Sequence, residues 1–146
     1  MVMVDTTVSA ASRQHAPQLG RIFGAAAVAA VAASLVDALL ALIGRSVFSV
    51  PATFSQFNPP FYVSLTVFGV IGASVAWAVV TRRAENPVAL LRRLALIVVP
   101  VTLLADLVLI ADHQPPLGAV TLMVMHIGVG VITYMSLTRI APPRAR

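Results

Sequence analysis

Cysteine is absent from the 146 residues, which removes disulfides, thiolate chemistry and cysteine metal sites in any compartment. Lysine is absent too, so all ten basic residues are arginine. Charged residues make up only 10% of the chain, against about 25% in an ordinary soluble domain. With 59% of residues hydrophobic and a mean hydropathy of +0.94, the chain argues against a soluble class. A net charge of +5 on so apolar a chain points to membrane topology and not to nucleic acid. The sequence also has no Gly-rich phosphate loop, no serine nucleophile elbow, no H-x-x-x-H pair and no haem-type histidines on opposing helices.

What is present is four long apolar runs. A helix needs about 20 such residues to cross a hydrocarbon core, and the runs 22–43, 61–80, 94–110 and 119–137 meet that length or come close to it. Together they take up more than half of the chain and leave no room for a separate soluble domain. The first run follows Arg13 and Arg21, as a signal peptide would, yet it is longer than the 7 to 15 residues typical of a signal core and contains Asp37. It reads as a retained helix. Residues 1–20 are polar, without periodicity, and are expected to form a disordered cytoplasmic leader; residues 140–146 are expected to form a cytoplasmic tail.

Asn86 and Pro87 supply an N-cap and a first helical residue, so the third helix is predicted to start before its apolar stretch, with Arg92 and Arg93 at headgroup level. Pro100 removes one backbone donor inside that helix, and a bend is expected there. Nine arginines flank the spans on one side and Arg45 stands alone on the other. The positive-inside rule then places both termini in the cytoplasm. The fold class is an all-α membrane protein, four transmembrane helices in an antiparallel bundle.

On that topology Phe48, Phe54, Phe57, Phe61 and Tyr62 form an outer aromatic belt, with Phe23, Trp77 and Tyr134 at the inner interface. The stretch 44–60, with three prolines, is either an interfacial anchor or a lid over the bundle, the anchor being the simpler reading. Asp112 and His113 precede Pro115 and Pro116 and read as a solvated outer turn.

Three ionisable residues interrupt the apolar runs, and each costs about 2.5 to 3.5 kcal/mol at mid-membrane unless it finds a partner. At 1.5 Å of rise per residue, Asp37 lies about 9 Å, Asp106 about 6 Å and His126 about 10 Å from the outer ends of their spans. All three share one layer, which lets two carboxylates and an imidazole converge. Ala25, Ala29, Ala33 and Asp37 recur every fourth residue, a small-residue stripe that turns the aspartate toward protein. Similar stripes run through Gly69, Ala73 and Ala76, and through His126, Gly130 and Thr133. Gly128 and Gly130 fit close helix packing, and Thr102 is placed to donate to Asp106 or to backbone freed by Pro100. For each polar residue, a hydrogen-bonded tie between helices competes with a ligand, proton or metal site. A metal set of Asp37, Asp106 and His126, with His113 at its mouth, is a further reading, and no local motif spacing accompanies it. The hexapeptides around Asp37 and Asp106 echo each other and hint at a two-plus-two repeat.

An Arg-bearing leader, an Ala-rich first helix, a Pro-containing outer loop, the Arg82-Arg83 inner loop and Leu122-Met123-Val124-Met125-His126 opening the last helix give the chain a resemblance. It resembles an uncharacterised family of four-helix integral membrane proteins from high-GC Gram-positive bacteria, a domain of unknown function. The resemblance implies the fold and a bacterial plasma membrane, and it implies no activity and no cofactor. The leading expectation is a non-enzymatic accessory protein or complex subunit, alone with lipid, as a homo-oligomer or in a larger assembly. The alternative is a small transporter or proton- or ion-coupled carrier using Asp37, Asp106 and His126. A membrane-embedded metal enzyme is the third class.

Overall fold

The computed structural model describes residues 7–143, with side chains from Leu19 onward. It is all-helical: α1 (Thr7–Ser46), α2 (Pro59–Arg83), α3 (Pro87–Ala111) and α4 (Pro116–Ile140), with one 3-10 turn at Ser55–Phe57. No strand occurs among the described residues. All four helices contain a stretch long and apolar enough to cross a membrane, Leu19–Ser46 in α1 and the whole of the other three.

Helical backbone begins at Thr7, inside the stretch read as a disordered leader. The good helix formers Ala10, Ala11, Arg13, Gln14 and Ala16 carry the helix back from the apolar span. Residues 1–6 and 144–146, the rest of the leader and the end of the tail, lie outside the described residues. The start of α3 is as anticipated: Asn86 Oδ1 accepts from Ala89 N at 3.1 Å, and Pro87 opens the helix.

The main packing contact is α1 on α4, while α2 and α3 touch each other little. The Ala25, Ala29 and Ala33 stripe makes the first contact possible. All three are fully buried, and Asp37 is 2% exposed, so the aspartate does face protein. On α4 the small residues act in the same way. A side-chain carbon on Gly130 would meet Val99 Cγ2 of α3 at 2.7 Å, which fixes how closely those two helices approach.

The α2 stripe behaves differently from expectation. Added side-chain carbons on Gly69 and Gly72 meet nothing within 4 Å. The packing face of α2 is instead Tyr62, Thr66, Val70, Ser74, Trp77 and Val80. Gly69 of the stripe and Gly72 beside it border empty space, while Ala73 packs against the cluster around Trp77.

The ends of the bundle are fastened by two clusters. At one end, Ile22 and Ala25 of α1, Trp77 of α2, Leu91 of α3 and Leu137 of α4 pack with Ala141. The last carbonyls of α4 have no intrahelical donors. Arg21 Nε donates to Ile140 O at 3.0 Å, and Trp77 Nε1 donates to Ala141 O at 2.9 Å. The tryptophan expected in an interfacial belt is therefore a buried hook, since its indole N–H finds a free carbonyl only inside the protein. Phe23 does point outward.

At the other end, Ala41, Val50, Phe54, Phe57, Tyr62, Leu122 and Met125 form a second cluster. Phe54 and Phe57 meet edge to face with ring centroids 4.9 Å apart. Phe54 sits on Gly118 of α4, where an added carbon would lie 3.0 Å from its ring, and Phe57 sits on Gly44 of α1. Ser49 adopts a φ of 53°, turning the chain back after α1 toward this seat. Arg45 Nη2 donates to Asn58 Oδ1 at 3.0 Å and ties the segment down. This overturns the expectation of an aromatic belt made of all five residues: Phe54, Phe57 and Tyr62 are buried, and only Phe48 and Phe61 are exposed. Glycine seats accept rings whose burial outweighs exposure to an interface.

Trp77→Ala is expected to lower stability by about 3–5 kcal/mol through the cavity it leaves. Gly72→Ala, which faces open space, should change stability by no more than about 1 kcal/mol. Equilibrium unfolding in detergent micelles measures both.

Candidate functional site

Asp37 of α1 lies across from Thr66 of α2, whose Oγ1 donates to Asp37 Oδ2 at 2.6 Å. The other carboxylate oxygen, Oδ1, is buried and has no hydrogen-bond partner. In apolar surroundings such an oxygen is expensive to leave bare. Asp106 of α3 is 3% exposed, and its Oδ2 lies 2.9 Å from His126 Nδ1 on α4. The same nitrogen lies 3.0 Å from Leu122 O, one turn back on its own helix. The Nδ1–H is aligned on that carbonyl, so Asp106 Oδ2 receives the imidazole as a close neighbour without an aligned donor. One ring N–H cannot satisfy both acceptors well.

The three residues singled out in the sequence thus meet in two pairs, Asp37 with Thr66 and Asp106 with His126. They lie at a common depth, because Gly128 of α4 faces Val36 of α1, with 3.8 Å to Val36 Cγ1 from an added carbon. The two pairs are connected by empty space. A cavity of about 540 Å³ lies between α2 and α3 with α4 behind it, and Asp37, Thr66 and His126 all line it. Asp106 stands behind the imidazole and is not on the cavity wall.

The cavity extends along α2 from Phe61 to Ala76, about 22 Å by helical rise. Leu65, Leu94, Val98, Val99, Met125 and Val129 give it apolar walls. Gly69 and Gly72 widen it by the side chains they lack. Thr133, on the same wall, is buried and its Oγ1 has no partner. Sequence reasoning missed Thr66 as a partner in the layer, and although it put Thr133 on the His126 stripe it did not anticipate that its hydroxyl would be unpaired. A threonine in an apolar helix ordinarily bonds its own backbone, as Thr81, Thr121 and Thr138 do here, and nothing local in the sequence marks the exceptions. Thr102 follows the ordinary pattern, donating to Val99 O at 2.7 Å and not to Asp106 or the carbonyl freed by Pro100.

Among the described residues no three histidine, aspartate or glutamate side chains gather into a group that could hold a metal ion. His113 is exposed with Nδ1 3.0 Å from Ala111 O, and neither it nor Asp112 lines the cavity.

Residues 15–143 match a family of unknown function, DUF6069. The chain belongs to that family. No curated protein and no solved structure matches it. Family membership fits the small four-helix membrane protein that the fold describes and assigns it no activity.

Thr66→Val strips Asp37 of its one donor and is expected to cost about 1–3 kcal/mol of stability. Thr133→Val removes an unpaired hydroxyl at nearly constant shape and is expected to be neutral or stabilising. Paired unfolding curves in one detergent separate the two.

Proposed function

We propose that this protein is a non-enzymatic multi-pass protein of a bacterial plasma membrane that binds a small guest within its bundle at the level of Asp37 and His126. The observation that carries the reading is a membrane-depth cavity on whose wall Asp37 and Thr66 stand with His126, an imidazole that is about a third exposed. A purely structural tie between helices explains the Thr66 bond to Oδ2 and leaves Oδ1 without purpose. An acid kept in lipid at such cost is a functional site by default. If the guest is carried across the bilayer, the same centre serves a small transporter.

The proposed topology has antiparallel helices and both termini in the cytoplasm. It is supported by the excess of arginine at one end of the spans, with Arg45 alone at the other. The cluster that joins the start of the apolar span of α1 to the end of α2, the start of α3 and the end of α4 is in keeping with alternating directions. The Ala-, Val- and Arg-rich composition fits a high-GC Gram-positive source.

A second reading, an accessory subunit packed against a second copy or a larger partner, is favoured by α3. Only Leu91 and Asp106 of its side chains are buried, so most of that helix is free to meet another.

Because the chain has no cysteine, single cysteines report topology without background. A cysteine at Gln114 should react with a membrane-impermeant maleimide on intact cells, and one at Ala84 should react only after lysis. Asp37→Asn retains an acceptor for Thr66 and should fold with stability within about 1 kcal/mol of the parent while guest binding is lost. Loss of the fold in that variant would favour the structural tie.

A further inference from the structure

His126 is the one ionisable side chain of the polar layer that keeps an accessible edge. Its side chain is 32% exposed against 5% for Asp106, and Asp37 is buried. Its Nδ1 is committed, 3.0 Å from Leu122 O and 2.9 Å from Asp106 Oδ2. A carbonyl oxygen only accepts, so in this geometry Nδ1 carries a hydrogen. Nε2, across the ring, has no hydrogen-bond partner among the described residues. Nor is it one of the enclosed unpaired atoms, which are Asp37 Oδ1, Asp106 Oδ2 and Thr133 Oγ1. The imidazole is on the cavity wall and Asp106 stands behind it, off the wall. The nitrogen turned away from Asp106 is therefore the one that the cavity receives.

A bare hydrogen-bonding atom at membrane depth calls for a partner. A neutral imidazole with its hydrogen on Nδ1 offers a lone pair at Nε2, and an imidazolium offers an N–H. A hydroxyl both donates and accepts, so it answers either form of the ring. An ionised head would have to give up its hydration to walls of leucine, valine, alanine and glycine, whereas a hydroxyl gives up far less.

The cavity is also lopsided about the imidazole. Thr66 marks the depth of the layer on α2, and from it the wall runs about 8 Å to Phe61 but about 15 Å to Ala76. Gly69, Gly72, Leu94 and Val98 border the longer arm, and the two glycines leave its width open. The threonines beside it offer no competing contact: Thr102 donates to Val99 O, and Thr133 Oγ1 is enclosed. One reachable polar atom near one end of a long apolar space fits a guest with one polar head and an apolar body.

We propose that the cavity binds an uncharged lipophilic alcohol, whose hydroxyl bonds His126 Nε2 while its apolar body lies along the longer arm between α2 and α3. This rests on the binding reading above and adds the chemical class of the guest and the atom that selects it.

The test uses the purified full chain in nanodiscs and two probes of equal shape, 4-phenylbutanol and pentylbenzene, which differ by a hydroxyl in place of a methyl. Equilibrium dialysis against empty nanodiscs refers each affinity to the probe dissolved in lipid. Saturable binding of the alcohol about tenfold tighter than the hydrocarbon is expected. His126→Asn keeps an N–H near the position of Nδ1, removes Nε2, and should abolish that preference. Gly72→Leu, which narrows the longer arm away from the imidazole, should weaken both probes. If His126→Asn does not fold, ring ¹⁵N spectra of histidine-labelled protein carrying His15→Gln and His113→Gln decide: the Nε2 signal should move with the alcohol and not with the hydrocarbon. An unmoved signal overturns the assignment. Equal affinities, with both probes weakened by Gly72→Leu, overturn the hydroxyl assignment and leave the cavity a binding site, as does a preference retained in folded His126→Asn. No saturable binding of either probe overturns the assignment together with the binding reading.

Discussion

The close approach of α1 to α4 organises everything else in this bundle. It is possible because Ala25, Ala29 and Ala33 present almost no side chain, and every structural device at the two ends reinforces it. Arg21 and Trp77 hold the last carbonyls of α4 at one end; Phe57 on Gly44 and Phe54 on Gly118 hold the two helices at the other. In lipid there is no hydrophobic force between helices, so contact between bare backbones and satisfied polar groups has to supply the adhesion. Helices α2 and α3 then attach to this pair separately, and the gap between them follows from that arrangement.

The same geometry explains why two acids and a histidine survive at membrane depth. Asp37 is carried by the alanine stripe into the interior, where Thr66 reaches one of its oxygens. Asp106 is the one polar side chain buried from α3, and it lies against His126, whose N–H is directed at Leu122 O. Each carboxyl group is thus only partly satisfied. Asp37 Oδ1 and Asp106 Oδ2 are both left without a hydrogen-bond partner, and of the two acids only Asp37 borders the space between α2 and α3.

Much of this was legible in the residues, and the reasons are physical. Apolar runs of membrane length announce helices because only closed backbone hydrogen bonding survives in hydrocarbon. The Asn86-Pro87 start of α3 was readable from cap chemistry that is entirely local. The orientation of Asp37 could be read because a four-residue repeat of small residues defines a face. What could not be read depends on which element arrives opposite. Trp77 and Phe54 look like interfacial aromatics until a free carbonyl or a glycine from a distant helix provides a better place. Gly69 looks like part of a packing stripe with Ala73 and Ala76, and only the competing face of Tyr62, Thr66 and Val70 decides that it stays uncovered. Thr66 and Thr133 have the same local sequence appearance as the threonines that bond their own helix.

A hollow whose width comes from two glycines has an unusual evolutionary property. Replacing either by alanine, serine or valine would narrow it one heavy atom at a time without shifting a helix axis, because no neighbour stands within 4 Å to be displaced. The load-carrying contacts of the bundle lie on other faces, so selectivity for size can drift among descendants while the scaffold is inherited intact.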